Sequence, residues 1–229
     1  MDAPVLLITG ASSGIGAATA RHAVANGYRV ALAARSADKL ETLVAELGSE
    51  SSLALTCDVT DKASQQAMVD QTLSHFGRID AVFANAGIGG RPGGFCGADS
   101  DVWKDMILTN VYGVGLTIQC TAEALKASRG HLLITGSAAG RATIPGSMYS
   151  ATKWAVSAIG YGVREELRGT GIRTTLIEPG MVDTPFFDEQ PDHALTDQDI
   201  AEAVLFSLTR PASVDVNEIL VRPTPQIDD

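Results

Sequence analysis

Short apolar runs and longer amphipathic stretches alternate from the first residues of the chain almost to the last. Runs of strand length occupy 4–9 (PVLLIT), 29–34 (RVALAA), 52–57 (SLALTC), 79–84 (IDAVFA), 131–135 (HLLIT), 172–178 (IRTTLIE) and 218–222 (EILVR). Helical signals fall between them. The second helix has Ser36 as N-cap candidate, apolar Leu40, Leu43, Val44 and Leu47 at helical spacing, and Gly48 as a left-handed stop. A third runs from about Asp61 to Phe76 before Gly77, long helices cover 100–127 and 147–168, and a last one covers 197–209, capped by Thr196 and stopped before Pro211.

Strand and helix in this alternation predict an α/β fold: a single Rossmann-like doubly wound sheet of about seven parallel strands flanked by helices on both faces. The Gly-rich stretch 88–97 and the Pro/acid-rich stretch 183–195 fit neither element type and are candidate substrate loops. Over 229 residues there is no internal repeat or linker, so one domain spanning 1–229 is expected.

Charge removes some partners. Seventeen Lys+Arg against 27 Asp+Glu give a net charge of −10, the wrong sign for holding a phosphate backbone or an anionic membrane, and neither nucleic acid nor membrane is expected. No apolar run approaches the roughly 18 residues of a membrane span, and the start MDAPVLLITG lacks the basic region of a signal peptide, so a cytoplasmic location is expected. Cys57, Cys96 and Cys120 are widely spaced and the histidines are scattered, which suggests neither a disulfide framework nor a metal centre.

Candidate chemistry starts where the first strand ends. Gly10, Ala11, Ser12, Ser13, Gly14, Ile15 and Gly16 form a GxxxGxG turn that opens a helix. Such a turn lets backbone N–H groups approach a pyrophosphate and aims a helix N-terminus at its charge, although a glycine-rich turn can also be only a turn. At the end of the second strand, where an acidic residue would read an adenosine ribose, the chain has Ala34 followed by Arg35, with Ser36 and Lys39 nearby. Arg pairs with a 2′-phosphate, which favours NADP(H) over NAD(H), the alternative being a solvated arginine. Tyr149 and Lys153 stand four residues apart on one helical face. A phenol beside an ammonium is a proton-transfer unit of lowered pKa, and helix surface packing is the other reading. Ser137 follows the strand HLLIT and would face the carboxyl end of the sheet, either polarising a carbonyl or bonding its own backbone. No GxSxG elbow accompanies it, which argues against a serine hydrolase.

TGASSGIG at 9–16, Asp58 in CDVTD, Asn85-Ala86-Gly87, Asn110 in TNVYG, Ser137, Tyr149 with Lys153, and Pro179-Gly180 with Thr184 occur in one order over the whole chain. In this the sequence resembles the short-chain dehydrogenase/reductase family. The resemblance implies hydride exchange between NADP(H), or less expectedly NAD(H), and a carbonyl or secondary alcohol. It makes Tyr149 the general acid/base, Lys153 the group that bonds the nicotinamide ribose and lowers the phenol, Ser137 the carbonyl polariser, and Asn110 the bend in its helix that holds a relay water. It assigns Asp58 and Val59 to the adenine, Asn85, Ala86 and Gly87 to the adenine ribose and central strand, and Pro179, Gly180, Val182 and Thr184 to the nicotinamide amide. Family members with NADP often carry a base just before the second glycine, where this chain has Ser13. An NAD-dependent alcohol dehydrogenase of the same fold and a non-catalytic NADP(H)-sensing module are the alternatives. The resemblance further implies a homodimer or homotetramer paired through the helices at 100–127 and 147–168 and the last strand.

Substrate selection is expected from 88–97, 138–148 and 181–195, with Ile144, Met148, Met181, Phe186 and Phe187 as an apolar wall and Arg91 or Arg141 as candidate carboxylate contacts. The C-terminal run 216–226 resembles the ends of NADP-dependent members acting on 3-hydroxy acids or simple alcohols, without choosing a substrate.

Overall fold

The computed structural model describes residues 3–90, 93–187, 189 and 191–225. Its strands are β1 (Val5–Thr9), β2 (Arg29–Ala34), β3 (Ser52–Thr56), β4 (Ala81–Ala84), β5 (His131–Thr135), β6 (Arg173–Pro179), β7 (Val182–Asp183), β8 (Leu195–Thr196) and β9 (Glu218–Val221). The helices are α1 (Gly14–Ala25), α2 (Ala37–Leu47), α3 (Lys62–Phe76), α4 (Gly94–Gly97), α5 (Ser100–Ile107), α6 (Gly113–Ser128), α7 (Met148–Glu166) and α8 (Asp197–Leu208). Seven strands hydrogen-bond in the order β3-β2-β1-β4-β5-β6-β9, and every pairing is parallel. The expected doubly wound sheet is therefore present, and its order reverses between β1 and β4, where such sheets open a crevice.

Successive side chains of a strand leave opposite faces, so the apolar runs supply two cores at once. Leu7, Val82 and Leu132 join a core with Met68, Val114 and Val156 of α3, α6 and α7. Ile8, Phe83 and Leu133 join the other with Ala20, Leu40 and Val204 of α1, α2 and α8. The cap expected at Thr196 is present, forming a reciprocal capping box with Asp199 on α8, and Asp61, where the third helix was expected to begin, accepts from Ala63 N at the start of α3.

Elsewhere the chain departs from its pattern. The single long helix expected over 100–127 is interrupted by a π-helical turn at Leu108–Tyr112. Ser36 sits at the N-cap of α2 without a side-chain cap bond, and Gly48 ends it at φ 88°, ψ 133°, outside the left-handed helical region. The loop at 183–195 pairs its ends as a two-stranded parallel ribbon, Val182–Asp183 with Leu195–Thr196, and the Gly-rich stretch contains the one-turn α4. Among the described residues no helix is long and apolar enough to cross a membrane, and no cluster of His, Cys, Asp or Glu could hold a metal ion.

At the opposite edge from these loops lies a buried histidine. The Thr175 hydroxyl gives its proton to the Val216 carbonyl, so the His131 Nε2–H must donate to Thr175 across 2.7 Å, and Nδ1 is a bare, buried acceptor with no partner among the described residues. Charging that ring would cost its hydration, and burial, with the Arg173 charge adding, lowers its pKa to about 3. The unfolded chain thus binds one more proton than the native state between about pH 3 and 6.5. Stability is expected to fall as pH drops through this window, by up to about 1.4 kcal/mol per unit. Urea unfolding of the wild type and of His131→Val across pH 7 to 4 checks this; an unchanged slope in the variant would assign the acid sensitivity elsewhere.

Candidate active site

The turn after β1 is tight for reasons of backbone geometry. Gly10 has φ 65°, and a Cβ there would lie 2.8 Å from Ala86 Cα, while one on Gly16 would lie 2.3 Å from the Gly10 carbonyl oxygen. Glycine is what lets α1 begin this close to β4. Its N-cap Ser13 makes no side-chain cap bond and its first turn holds no acidic residue, whereas Asp61, Asp99, Ser147 and Thr196 cap α3, α5, α7 and α8. The amides and partial positive charge at the start of α1 suit an anion.

Side-chain hydrogen bonds tie the strand ends together behind this turn. Thr9 Oγ1 accepts from Asn85 N at 3.0 Å and Ala86 N at 3.2 Å. The Asn85 amide donates to the Thr9 and Gly10 carbonyls, and its oxygen accepts from the Thr135 hydroxyl at 3.0 Å. Three neighbouring strands are thereby locked in relative position. Asn110 lies in the π turn, and its side chain is fully engaged. Its oxygen accepts from Ile88 N at 2.8 Å, and its nitrogen donates to Ile88 O at 2.9 Å and Thr152 Oγ1 at 3.2 Å. It thus fixes the exit of β4 to α7, and π turns of this kind recur at functional sites.

Ser137, Tyr149 and Lys153 meet at the carboxyl ends of β5 and β6. The Ser137 hydroxyl lies close enough to the Tyr149 phenol to influence it; it accepts from Ala139 N at 3.1 Å and reaches the Pro179 carbonyl at 3.4 Å. Lys153, 4% exposed, donates to the Thr135 carbonyl at 2.7 Å, with its Nζ 5.7 Å from the centre of the Tyr149 ring. Burial brings its ammonium down to about 8. Tyr149 moves the other way: burial pushes its phenol above the usual value and Ser137 offsets only part of that. The expected lowering of the phenol is therefore reversed here, because lost hydration dominates and the offset comes from Ser137.

These groups face one cleft of about 1060 Å³, at the upper end of ligand-pocket volumes. Gly10, Ser12, Ser13, Gly14, Ile15, Arg35, Asp58, Val59, Asn85, Ala86 and Gly87 line one side of the switch point or the floor. Ser137, Tyr149, Lys153, Pro179, Gly180, Val182 and Thr184 line the other. Of the candidates, Gly16 and Asn110 stand behind the lining. Asp58 accepts from both the N–H and hydroxyl of Thr60, which with the Arg35 charge holds its carboxyl below the usual range. One oxygen is engaged in the turn itself, so the residue serves local structure whatever else it meets.

All five apolar wall candidates line the cleft, together with Trp103 and Met106 of α5, which the sequence reading passed over. Their spacing to Asn110 (i, i+3, i+7) marks one helical face and could have pointed to them. Thr9 and Thr135, the hydroxyls at the ends of β1 and β5, were also passed over. Arg141 is a correction: it is forked onto Glu178 at 2.6–3.0 Å and also bonds Glu218, so it is not available to a substrate carboxylate. Arg91 lies outside the described residues.

The description short chain dehydrogenase belongs to the family model that matches residues 4–194. An uncharacterized oxidoreductase of Staphylococcus haemolyticus is 38% identical, the alignment covering 97% of this chain and 98% of that one. The crystal structure of an alcohol dehydrogenase from Thermococcus sibiricus complexed with 5-hydroxy-NADP superimposes with a TM-score of 0.91 at 34% identity, over 99% of both chains. That of a 3-ketoacyl-(acyl-carrier-protein) reductase from Brucella melitensis complexed with NADH gives 0.89 at 28% identity, over 96% of both.

The Glu178 carboxylate has no exposure while Arg141 is about a third exposed, so removing the cation strands a buried charge. Arg141→Ala is expected to lose about 3 kcal/mol of stability in denaturant unfolding. Adding Glu178→Gln should recover part of that loss, and strictly additive losses would refute the coupling.

Proposed function

The chain belongs to the short-chain dehydrogenase/reductase family of oxidoreductases, and from that premise we propose that it exchanges hydride between NADP(H) and a carbonyl or secondary alcohol. The observation that carries this is the meeting of Ser137, Tyr149 and Lys153 beside a helix N-terminus that has no side-chain cap. In the proposal, the turn at Gly10–Gly16 and the start of α1 hold the pyrophosphate, Asp58 and Val59 meet the adenine, Asn85–Gly87 lie under the ribose, and Pro179, Gly180, Val182 and Thr184 fix the nicotinamide end. When bound, the nicotinamide supplies or accepts the hydride. The single domain of residues 1–229 carries this chemistry, with substrate loops at 88–97 and 183–195.

The proton is the chain's own responsibility. Two hydroxyls this close can both reach one oxygen, so Ser137 polarises the carbonyl and Tyr149 gives it the proton in reduction. A phenol raised by burial stays protonated at neutral pH, which suits it to act as the acid. Oxidation needs the phenolate, whose formation the nearby Lys153 ammonium assists. Asn110 shapes the helix turn between β4 and Lys153's helix, the place where the family resemblance puts a relay water.

Arg35, exposed at the end of β2 beside Ser12 and Ser36 in the cleft, supports NADP(H) through its planar fork. The NADP-type ligand of the Thermococcus protein agrees with this choice and the NADH of the Brucella protein does not. A homodimer or homotetramer is proposed on the exposed face of α7, where Trp154, Ala158, Tyr161 and Gly162 stand in a row.

Titration with NADPH and NADH in parallel, by nicotinamide fluorescence, tests the cofactor. Arg35→Ala should weaken NADPH about 10- to 100-fold and leave NADH nearly unchanged, as loss of a charge-assisted pair requires. No change for NADPH would favour the NAD-dependent reading. Tyr149→Phe is expected to lower kcat about 10²- to 10⁴-fold while cofactor binding persists. Cofactor binding with no turnover by the wild type would favour the sensing module. Across pH 7 to 10, alcohol oxidation should rise as the small phenolate fraction grows, while ketone reduction should stay nearly level because the raised phenol remains protonated; parallel profiles in both directions would remove Tyr149 from the proton transfer.

A further inference from the structure

The half of the cleft that faces Tyr149 is apolar to a degree that its chemistry does not require. Trp103, Met106, Ile144, Met148, Met181 and Phe186 line it. Among the described residues the charged side chains lining the whole cleft are Arg35, Asp58 and Lys153. Arg35 and Asp58 follow β2 and β3, and at about 4.8 Å per strand the end of β2 is about 14 Å from that of β5. Lys153 is buried and bonded to the Thr135 carbonyl. Arg141, the cation nearest in sequence to Ser137, is forked onto Glu178. A carboxylate brought to Tyr149 would shed its water against thioethers and rings and would meet no free cation among the described residues.

The rim carries the same message. Ile144, Met181, Phe186 and Phe187 keep 44%, 49%, 39% and 38% of their surface exposed, and large apolar side chains gathered at the mouth of a pocket mark what enters it. Phe186 borders the chemistry directly. Its ring centre is 5.5 Å from that of Tyr149, it stacks edge-on with Phe187 at 5.2 Å, and its ring lies 3.0 Å from where a Cβ on Gly89 would be. It spans from the 181–187 segment to the glycine-rich strand exit and borders the phenol. Three methionines in the same wall adapt its shape to differing ligands.

We propose that the substrate is an uncharged, largely apolar ketone or the matching secondary alcohol, not a keto or hydroxy acid, and that Phe186 sets this preference. This rests on the hydride-transfer reading above. Phe186 is a specificity-determining residue: it selects what reaches Tyr149 and takes no part in the proton transfer.

Matched ketones with a remote charge test it, because the carbonyl itself is then little altered: methyl 4-oxopentanoate against 4-oxopentanoate, and methyl 4-acetylbenzoate against 4-acetylbenzoate, each with saturating NADPH and again with NADH. The esters are expected to show kcat/KM at least about tenfold higher than the acids, mainly through KM, the size of effect an apolar pocket gives for small changes of ligand. Phe186→Ala should erode the ester-to-acid ratio severalfold. Equal or faster turnover of either acid would overturn the proposal, most directly if that turnover were lost in Arg91→Ala, and so would a ratio untouched by Phe186→Ala. Binding of the same ketones to cofactor-loaded Tyr149→Phe separates the two readings. Tighter binding of the esters with no wild-type turnover would overturn the hydride-transfer reading and leave the pocket assignment standing, whereas equal binding of acids would overturn the pocket assignment.

Discussion

A parallel strand cannot be followed directly by its neighbour, so each of the seven must be separated from the next by a crossover. From this the remainder of the molecule follows. All seven carboxyl ends come to one edge, and every crossover leaves from that edge, so Gly10, Arg35, Asp58, Asn85, Ser137 and Pro179, spread over 170 positions of sequence, converge where the strand order reverses. The helices that return the chain cover both faces, and the strands can then be apolar throughout.

The same edge is where the chain must satisfy its buried polar groups, and it does so with side chains that also shape the cleft. Asn85 is bonded to both β1 and Thr135, Asn110 to Ile88 and Thr152, Lys153 to Thr135, and Glu178 to Arg141 and Ser157. Each bond joins elements distant in sequence. A network satisfied in this way is rigid, because an alternative arrangement would leave a polar group buried and unpaired. Rigidity is also what a site needs to hold a phenol and an ammonium at fixed separation. Burial sets their protonation in opposite directions, raising Tyr149 and lowering Lys153, so that two groups of similar ordinary pKa are drawn apart.

The cleft divides along its length. On the side of β1 to β3 it offers backbone amides, a helix N-terminus, Arg35 and Asp58, groups that suit a charged nucleotide. On the side of β5 and β6 it offers the hydroxyls of Ser137 and Tyr149 and a wall that is mostly apolar and carries no charged side chain but Lys153 among the described residues. That asymmetry arises from where the loops come from: the glycine-rich turn belongs to the first crossover, while the wall residues come from α5, the segment before α7 and the segment after β6.

Much of this was legible in the sequence by itself. Apolar runs marked the seven sheet strands within a few residues, since strands covered on both faces are mostly apolar; Thr196 announced the last helix because a cap acts within three residues; and the motif order pointed to the family and to the candidate site residues. Tertiary structure alone decided what depends on distant partners. Arg141 looked free to meet a substrate, but Glu178 and Glu218, 37 and 77 residues away, take its guanidinium. The phenol of Tyr149 was expected to be lowered by a lysine four residues on, and burial, which no local pattern records, raised it. The π turn at Asn110 depends on Ile88 and Thr152, and the two-residue pairing of β7 with β8 is too short to leave a periodicity. Local bonds can be read from neighbours in the chain; desolvation and long-range pairing exist only once the chain has closed on itself.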